Sequence, residues 1–122
     1  MKLEICIDVD DVEGAVKFYG QGLGLTVVEQ HPQWAHLTFN DQTIWIMKIP
    51  AGPQGPITRT YGRHWTPVHF DVVVKDIEKA VERALEAGGH LDRPIARNPE
   101  RGDLANLSDP AGNGVDLIQR HQ

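Results

Sequence analysis

Val9-Asp10-Asp11-Val12-Glu13-Gly14-Ala15-Val16 and, 65 residues later, Val74-Lys75-Asp76-Ile77-Glu78-Lys79-Ala80-Val81 are two versions of one strand-to-helix junction. Five of the eight aligned pairs are identical, and Val12/Ile77 is a conservative change. Any two such junctions share a Val, an Asp and a Glu, but they do not share the elements on both sides. Upstream of the first copy, Leu3-Glu4-Ile5-Cys6-Ile7-Asp8-Val9 alternates apolar and polar side chains, the period of a strand. Upstream of the second, Val68-His69-Phe70-Asp71-Val72-Val73-Val74 also reads as a strand.

Downstream the order repeats as well. In the first half, Asp10 three residues before Glu13 reads as a capping box, and Val12, Val16 and Tyr19 form one helical stripe. The glycines from Gly20 to Gly24 end that helix, and Leu25–Glu29, Trp34–Phe39 and Thr43–Lys48 read as three short strands. In the second half Asp76 caps a helix carrying Ile77, Val81, Ala84 and Leu85, which Ala87-Gly88-Gly89 closes. Strands are expected over Leu91–Ala96, Leu104–Ser108 and Val115–Gln119. Between the halves, Pro50-Ala51-Gly52-Pro53-Gln54-Gly55-Pro56 is too rich in Pro and Gly for an element interior.

The prediction is an α+β chain of two tandem βαβββ modules whose curved mixed sheets surround a cavity. Residues 1–49 form the first module, 50–66 a linker or flap, and 67–122 the second, within one structural domain. Each helix must bury its stripe on the apolar face of its own sheet. The opposite faces, Glu4/Cys6/Asp8 and His69/Asp71/Val73, then turn toward a shared concave surface, with Glu4 and His69 at equivalent positions.

Composition narrows the setting. The 122 residues carry 12 basic and 17 acidic side chains, a net charge of −5, with no basic run to track a nucleic-acid backbone. No stretch longer than eleven residues lacks a charge, which argues against a membrane span, and Met1-Lys2-Leu3-Glu4 does not open an export signal. One cysteine, Cys6, excludes an internal disulfide and suits a reducing, cytoplasmic compartment. Gly20-x-Gly22-x-Gly24 follows a helix and precedes a strand, the reverse of a dinucleotide-binding context. Cys6 faces the expected cavity, but a strand thiol with no assigned base reads as a small buried hydrophobe. Asp109-Pro110 and Gly112 are accounted for as turn residues. Arg63, Arg97 and Arg101 lie in loops, where most arginines are simply solvated, and carry no assignment.

Three segments, in order, resemble the vicinal oxygen chelate superfamily, which includes glyoxalase I, bleomycin-resistance proteins, fosfomycin-resistance proteins and extradiol dioxygenases. They are Asp11–Tyr19 leading into Gly22-Leu23-Gly24-Leu25, then Val68-His69-Phe70-Asp71-Val72, then Asp109-Pro110-Ala111-Gly112-Asn113-Gly114-Val115-Asp116-Leu117. The resemblance implies metal ligands on the first and last strands of each module. Carried onto this chain, these are Glu4 where the superfamily usually has His or Gln, His69 as expected, and Asp116 where Glu is usual. The fourth position falls on Trp45, which cannot ligate, so the glyoxalase I set is broken and Glu4, His69 and Asp116 remain. Such a mixed set suits Mn, Fe, Co, Ni or Zn, and Glu4 or Asp116, if unligated, would serve as the catalytic general base. Trp45, Met47, Cys6 and Asp71 would line the substrate pocket. Trp34, His36 and Trp65 are further wall candidates, although core or subunit-interface roles compete for Trp34 and Trp65. His36, His64 and Asp41 stay open as substitutes for a missing ligand.

Two functions follow from the resemblance. One is a metal-dependent lyase, isomerase, transferase or dioxygenase-like enzyme whose small-molecule substrate chelates the ion through vicinal oxygens. The other is a metal-free protein that binds and sequesters a drug or metabolite. Either would be a homodimer with no nucleic-acid or membrane partner, pairing the first module of one subunit with the second of the other.

Overall fold

Each half places its first strand parallel to its last, in equivalent register. In the computed structural model, which describes residues 1–121, β1 (Ile5–Val9) pairs with β4 (Gln42–Lys48) so that Cys6 faces Trp45. The second half repeats this with β7 (Phe70–Val73) and β10 (Gly114–Gln119), where Asp71 faces Asp116. Adding β2 (Thr26–Gln30) and β3 (Trp34–Phe39) gives a four-stranded sheet of order β1-β4-β3-β2. Adding β8 (His90–Leu91) and β9 (Asp103–Ser108) gives its twin, β7-β10-β9-β8. The architecture is therefore α+β with two mixed four-stranded sheets, the expected fold class. The Pro/Gly-rich segment holds a short hairpin, β5 (Gly52–Gln54) and β6 (Ile57–Arg59).

The helices differ from the sequence reading in detail. The first, α1 (Val12–Val16), starts at Asp11 rather than Asp10, and Asp11 makes no side-chain capping bond. It then widens into a π-helical turn over Lys17–Gly22, so Leu23 N donates to Phe18 O, five residues back, at 3.0 Å; past the helix end, Leu25 N closes onto Tyr19 O at 3.0 Å. The second helix, α2 (Ile77–Glu86), is capped as expected, with Asp76 accepting from Lys79 N at 3.2 Å. The strand expected over Leu91–Ala96 shrinks to His90–Leu91 and a lone bridge between Ala96 and Leu104. Pro94 lies between the two and has no amide to donate to a ladder.

One buried cluster joins the halves. Ile7, Val9, Ala35, Leu37, Ile44 and Ile46 from the first sheet meet Ala105, Leu107, Val115 and Leu117 from the second through the helices' apolar stripes. Leu3, grouped with the inward residues by its alternation, precedes β1 and is 75% exposed.

A polar contact spans the same junction. The Tyr19 hydroxyl donates to Asp109 Oδ2 at 2.6 Å, and both side chains are buried. Burial first, then the carboxylate beside it, pushes the Tyr19 hydroxyl well above its ordinary pKa and keeps it protonated. Asp109 also accepts from Ala111 N at 2.8 Å, from Asn113 N at 2.9 Å and from Asn113 Nδ2 at 3.0 Å. Asp109 is thus more than a turn residue: four donors satisfy a carboxylate that burial would otherwise make costly. Among the described residues, no helix is long and apolar enough to cross a membrane.

Candidate functional site

His69, one residue before β7, and Asp71, within it, sit two positions apart and share a sheet face. The parallel register sets Asp116 of β10 directly beside Asp71. His69 Nε2 lies 3.2 Å from Asp116 Oδ2 and 3.3 Å from Asp71 Oδ1. One donor atom from each of the three side chains falls within 4.8 Å of the others. Asp116 is buried, whereas His69 and Asp71 are open to solvent. The antiparallel neighbour of Asp116 on β9 is Asn106, whose Nδ2 donates to Asp116 Oδ1 at 2.7 Å. That bond occupies one carboxylate oxygen and leaves the other toward His69, offsetting the burial of a charge.

The same positions in the first module carry different side chains. Trp45 stands in place of Asp116, Cys6 in place of Asp71, and His36, opposite Trp45, in place of Asn106. His36 stacks on Trp45 with ring centroids 4.5 Å apart and planes 24° apart. Trp34 meets Trp45 at 5.8 Å and His31 lies 4.1 Å from Trp34, so four rings form a continuous strip. Among the described residues, His36 Nε2 is buried without a hydrogen-bond partner.

The residues singled out from sequence therefore separate into groups. His69 and Asp116 come together, with Asp71 beside them. Glu4 is not in that cluster within one chain and pairs with Lys2 at 3.2 Å instead. Trp45 and Met47 lie half-buried on the aromatic side. The Cys6 thiol is exposed rather than buried, because it sits on the open face of β1. It lines a cavity of about 840 Å³ between β1 and the chain entering β7, with Asp8, Arg59, His64 and His69 also on its wall. Arg59 Nε donates to Asp8 Oδ2 at 2.5 Å across that cavity's rim.

His64 is engaged elsewhere, 2.8 Å from Gly62 O through Nδ1 and 3.0 Å from Asn113 Oδ1 through Nε2. Arg97, left unassigned, ties α2 to β9 by pairing with Glu78 and, at 2.6 Å, with Asp103. Sequence reasoning missed Asn106, although counting back from the Asp109–Gly114 turn through an antiparallel hairpin reaches it opposite Asp116.

The profile of the Glyoxalase-like domain family matches residues 4–118. No curated protein matches the chain. Among solved structures, the chain superposes on a glyoxalase/bleomycin resistance protein/dioxygenase family enzyme from Burkholderia phytofirmans PsJN with a TM-score of 0.77. Sequence identity there is 18%, and 97% of each chain is covered. The fosfomycin resistance protein FosX from Mesorhizobium loti gives a TM-score of 0.73 at 15% identity, covering 99% of this chain and 92% of the other. A bleomycin-binding protein from Streptomyces verticillus, solved with copper(II)-bleomycin, gives 0.60 at 18% identity, covering 99% and 97%. These likenesses establish a shared fold, and the family match spans nearly all of both modules. The chain belongs to the Glyoxalase-like domain family, within the vicinal oxygen chelate superfamily.

Proposed function

We propose that this chain is a divalent-metal-dependent, glyoxalase-like enzyme of lyase, isomerase or transferase type, acting on a small molecule with two neighbouring oxygens. The observation that carries the reading is the convergence of His69, Asp71 and Asp116 on an open sheet face. The donor set fits the ion. One imidazole and two carboxylates suit Mn, Fe, Co, Ni or Zn, and the solvent exposure of His69 and Asp71 leaves room for substrate.

His69 and Asp116 would hold the metal, with Asn106 fixing which oxygen Asp116 presents. Glu4 joins them in a homodimer that pairs the first module of one subunit with the second of the other. Within one chain, Asp71 occupies the space beside them. When bound, the metal acts as a Lewis acid toward the substrate's oxygens. With Asp116 on the metal, Glu4 would accept the substrate proton where it does not itself ligate, and Cys6, Trp45 and Met47 contact the rest of the molecule. The exposed, unpaired thiol fits a cytoplasmic setting.

The test is metal content by mass spectrometry on untagged protein grown with mixed transition metals, beside His69→Ala. Near-stoichiometric metal in the parent, lost in the variant, supports the reading; no metal in either overturns it.

One observation favours a second reading, a metal-free binding protein of the bleomycin-resistance type. Where the second module has Asp116 the first has Trp45, within a strip of four rings, and the chain carries a charge of −5. Aromatic faces and net negative charge both attract flat cations. Tight quenching of tryptophan fluorescence by a planar cationic dye, in protein shown to lack metal, would support this reading over the first.

A further inference from the structure

Residues 61–66 form a strap across the turn that joins β9 to β10. His64 N donates to Gly112 O at 3.1 Å, and His64 Nε2 reaches Asn113 Oδ1 at 3.0 Å. Two glycines of that turn are the seat. Gly112 has φ +87°, and a Cβ there would stand 2.0 Å from Gly62 O. A Cβ on Gly114 would stand 2.6 Å from the Trp65 ring.

Trp65 is therefore pressed onto Gly114 from one side, while the Arg63 guanidinium covers its ring at 4.4 Å. Arg63 is itself anchored, donating from Nε to Asp92 Oδ2 at 2.7 Å. Trp65 is 40% exposed, so it is neither core nor loosely solvated. Its ring meets His69 edge to face, with centroids 5.4 Å apart and planes at 76°.

His69 needs such support. It lies just outside β7, so the strand's ladder does not hold it. Metal-binding histidines usually have their second ring nitrogen fixed by a carboxylate or carbonyl. Among the described residues, His69 Nδ1 has no hydrogen-bond partner; its polar contacts are those of Nε2 with Asp71 and Asp116. We propose that Trp65 is the positioning residue for His69, its strap-held ring replacing that hydrogen bond and walling the His69–Asp71–Asp116 site. The proposal rests on the metal reading for its consequence, but the orientation it describes exists in metal-free protein.

The experiment compares Trp65→Ala and Trp65→Phe with the parent in two measurements. The first is Mn²⁺ affinity by calorimetry. The second is the His69 χ1 rotamer in metal-free protein, from three-bond NMR couplings. Trp65→Ala is expected to weaken Mn²⁺ binding about 10-fold and to convert a single His69 rotamer into an average of several. Trp65→Phe keeps an aromatic ring and is expected to recover both. An unchanged rotamer in Trp65→Ala overturns the proposal, whatever the metal result. A parent that takes no Mn²⁺ but whose His69 rotamer averages in Trp65→Ala and recovers in Trp65→Phe keeps the proposal and discards the metal reading. Should Trp65→Ala fail to fold, the Phe variant carries the test beside Asp92→Asn, which frees Arg63 but leaves the ring. A rotamer that averages in Asp92→Asn supports the strap, and one that does not overturns it.

Discussion

Where the second module has Asp116 the first has Trp45, and where the second has Asn106 the first has His36. One residue along the same strands the contrast vanishes. Leu37 matches Leu107, Ala35 matches Ala105, and Ile44 and Ile46 match Val115 and Leu117. The inward positions share one core, where a change of even a methylene is felt, and a slip by one residue would turn every side chain over. The outward positions carry no such constraint. Equivalent backbone sites have consequently taken on different chemistry, an acid–imidazole cluster on one face and a ring strip on the other.

The contrast breaks most sharply at His69. His69→Ala is expected to lower divalent-metal affinity by at least about 100-fold, measured by calorimetry, while Trp45→Ala leaves it unchanged. Equal losses in the two variants would mean that the faces do not divide the work as their chemistry suggests. Asn106→Ala sharpens the comparison within the second face. Asp116 loses its positioning donor, and metal affinity should fall about 10-fold. On the first face, Trp45→Ala should weaken binding of a planar cationic dye several-fold, since one such contact is worth about 1 kcal/mol. Fluorescence of the remaining tryptophans reads this directly.

The smallest effect probes what the faces have in common. Tyr19→Phe leaves Asp109 one donor short and should cost about 1 kcal/mol in urea unfolding at neutral pH. Its pH dependence has a definite sign. The folded protein holds the Tyr19 proton above the ordinary value of 10.0, so the associated stability is intact below that pH and lost as pH rises past it. The gap between parent and variant should therefore narrow in alkaline buffer.

Period-two alternation and the matched junctions made the two modules legible, because burial of one sheet face writes itself into every second residue. The π-helical turn was not legible: an extra residue in a helix shifts its phase only locally, and Phe18 and Tyr19 remain inward either way. Pro94 did carry the signal that shortened β8, but Leu91, Ile95 and Ala96 on either side of it still read as strand residues. At the site, His69 and Asp116 followed from motif positions, and Asp71 from the same alternation. Glu4's position also followed from the repeat, yet adjacency of two faces depends on how modules or subunits assemble, which no local pattern encodes. The role of Trp65 rests on a close approach to Gly114 from a distant loop, and neither residue announces that contact in its own neighbourhood.

The Tyr19–Asp109 bond joins residues separated by 90 positions, one from each repeat. A fragment holding only the later repeat would keep three of the four donors to Asp109 but lose the phenol that covers it, and one holding only the earlier repeat would leave the Tyr19 hydroxyl without its acceptor. The two copies in the present polypeptide are thus mutually dependent where they meet. That dependence is also a licence: with folding vested in the union, either half can trade its outward residues without forfeiting its partner's support.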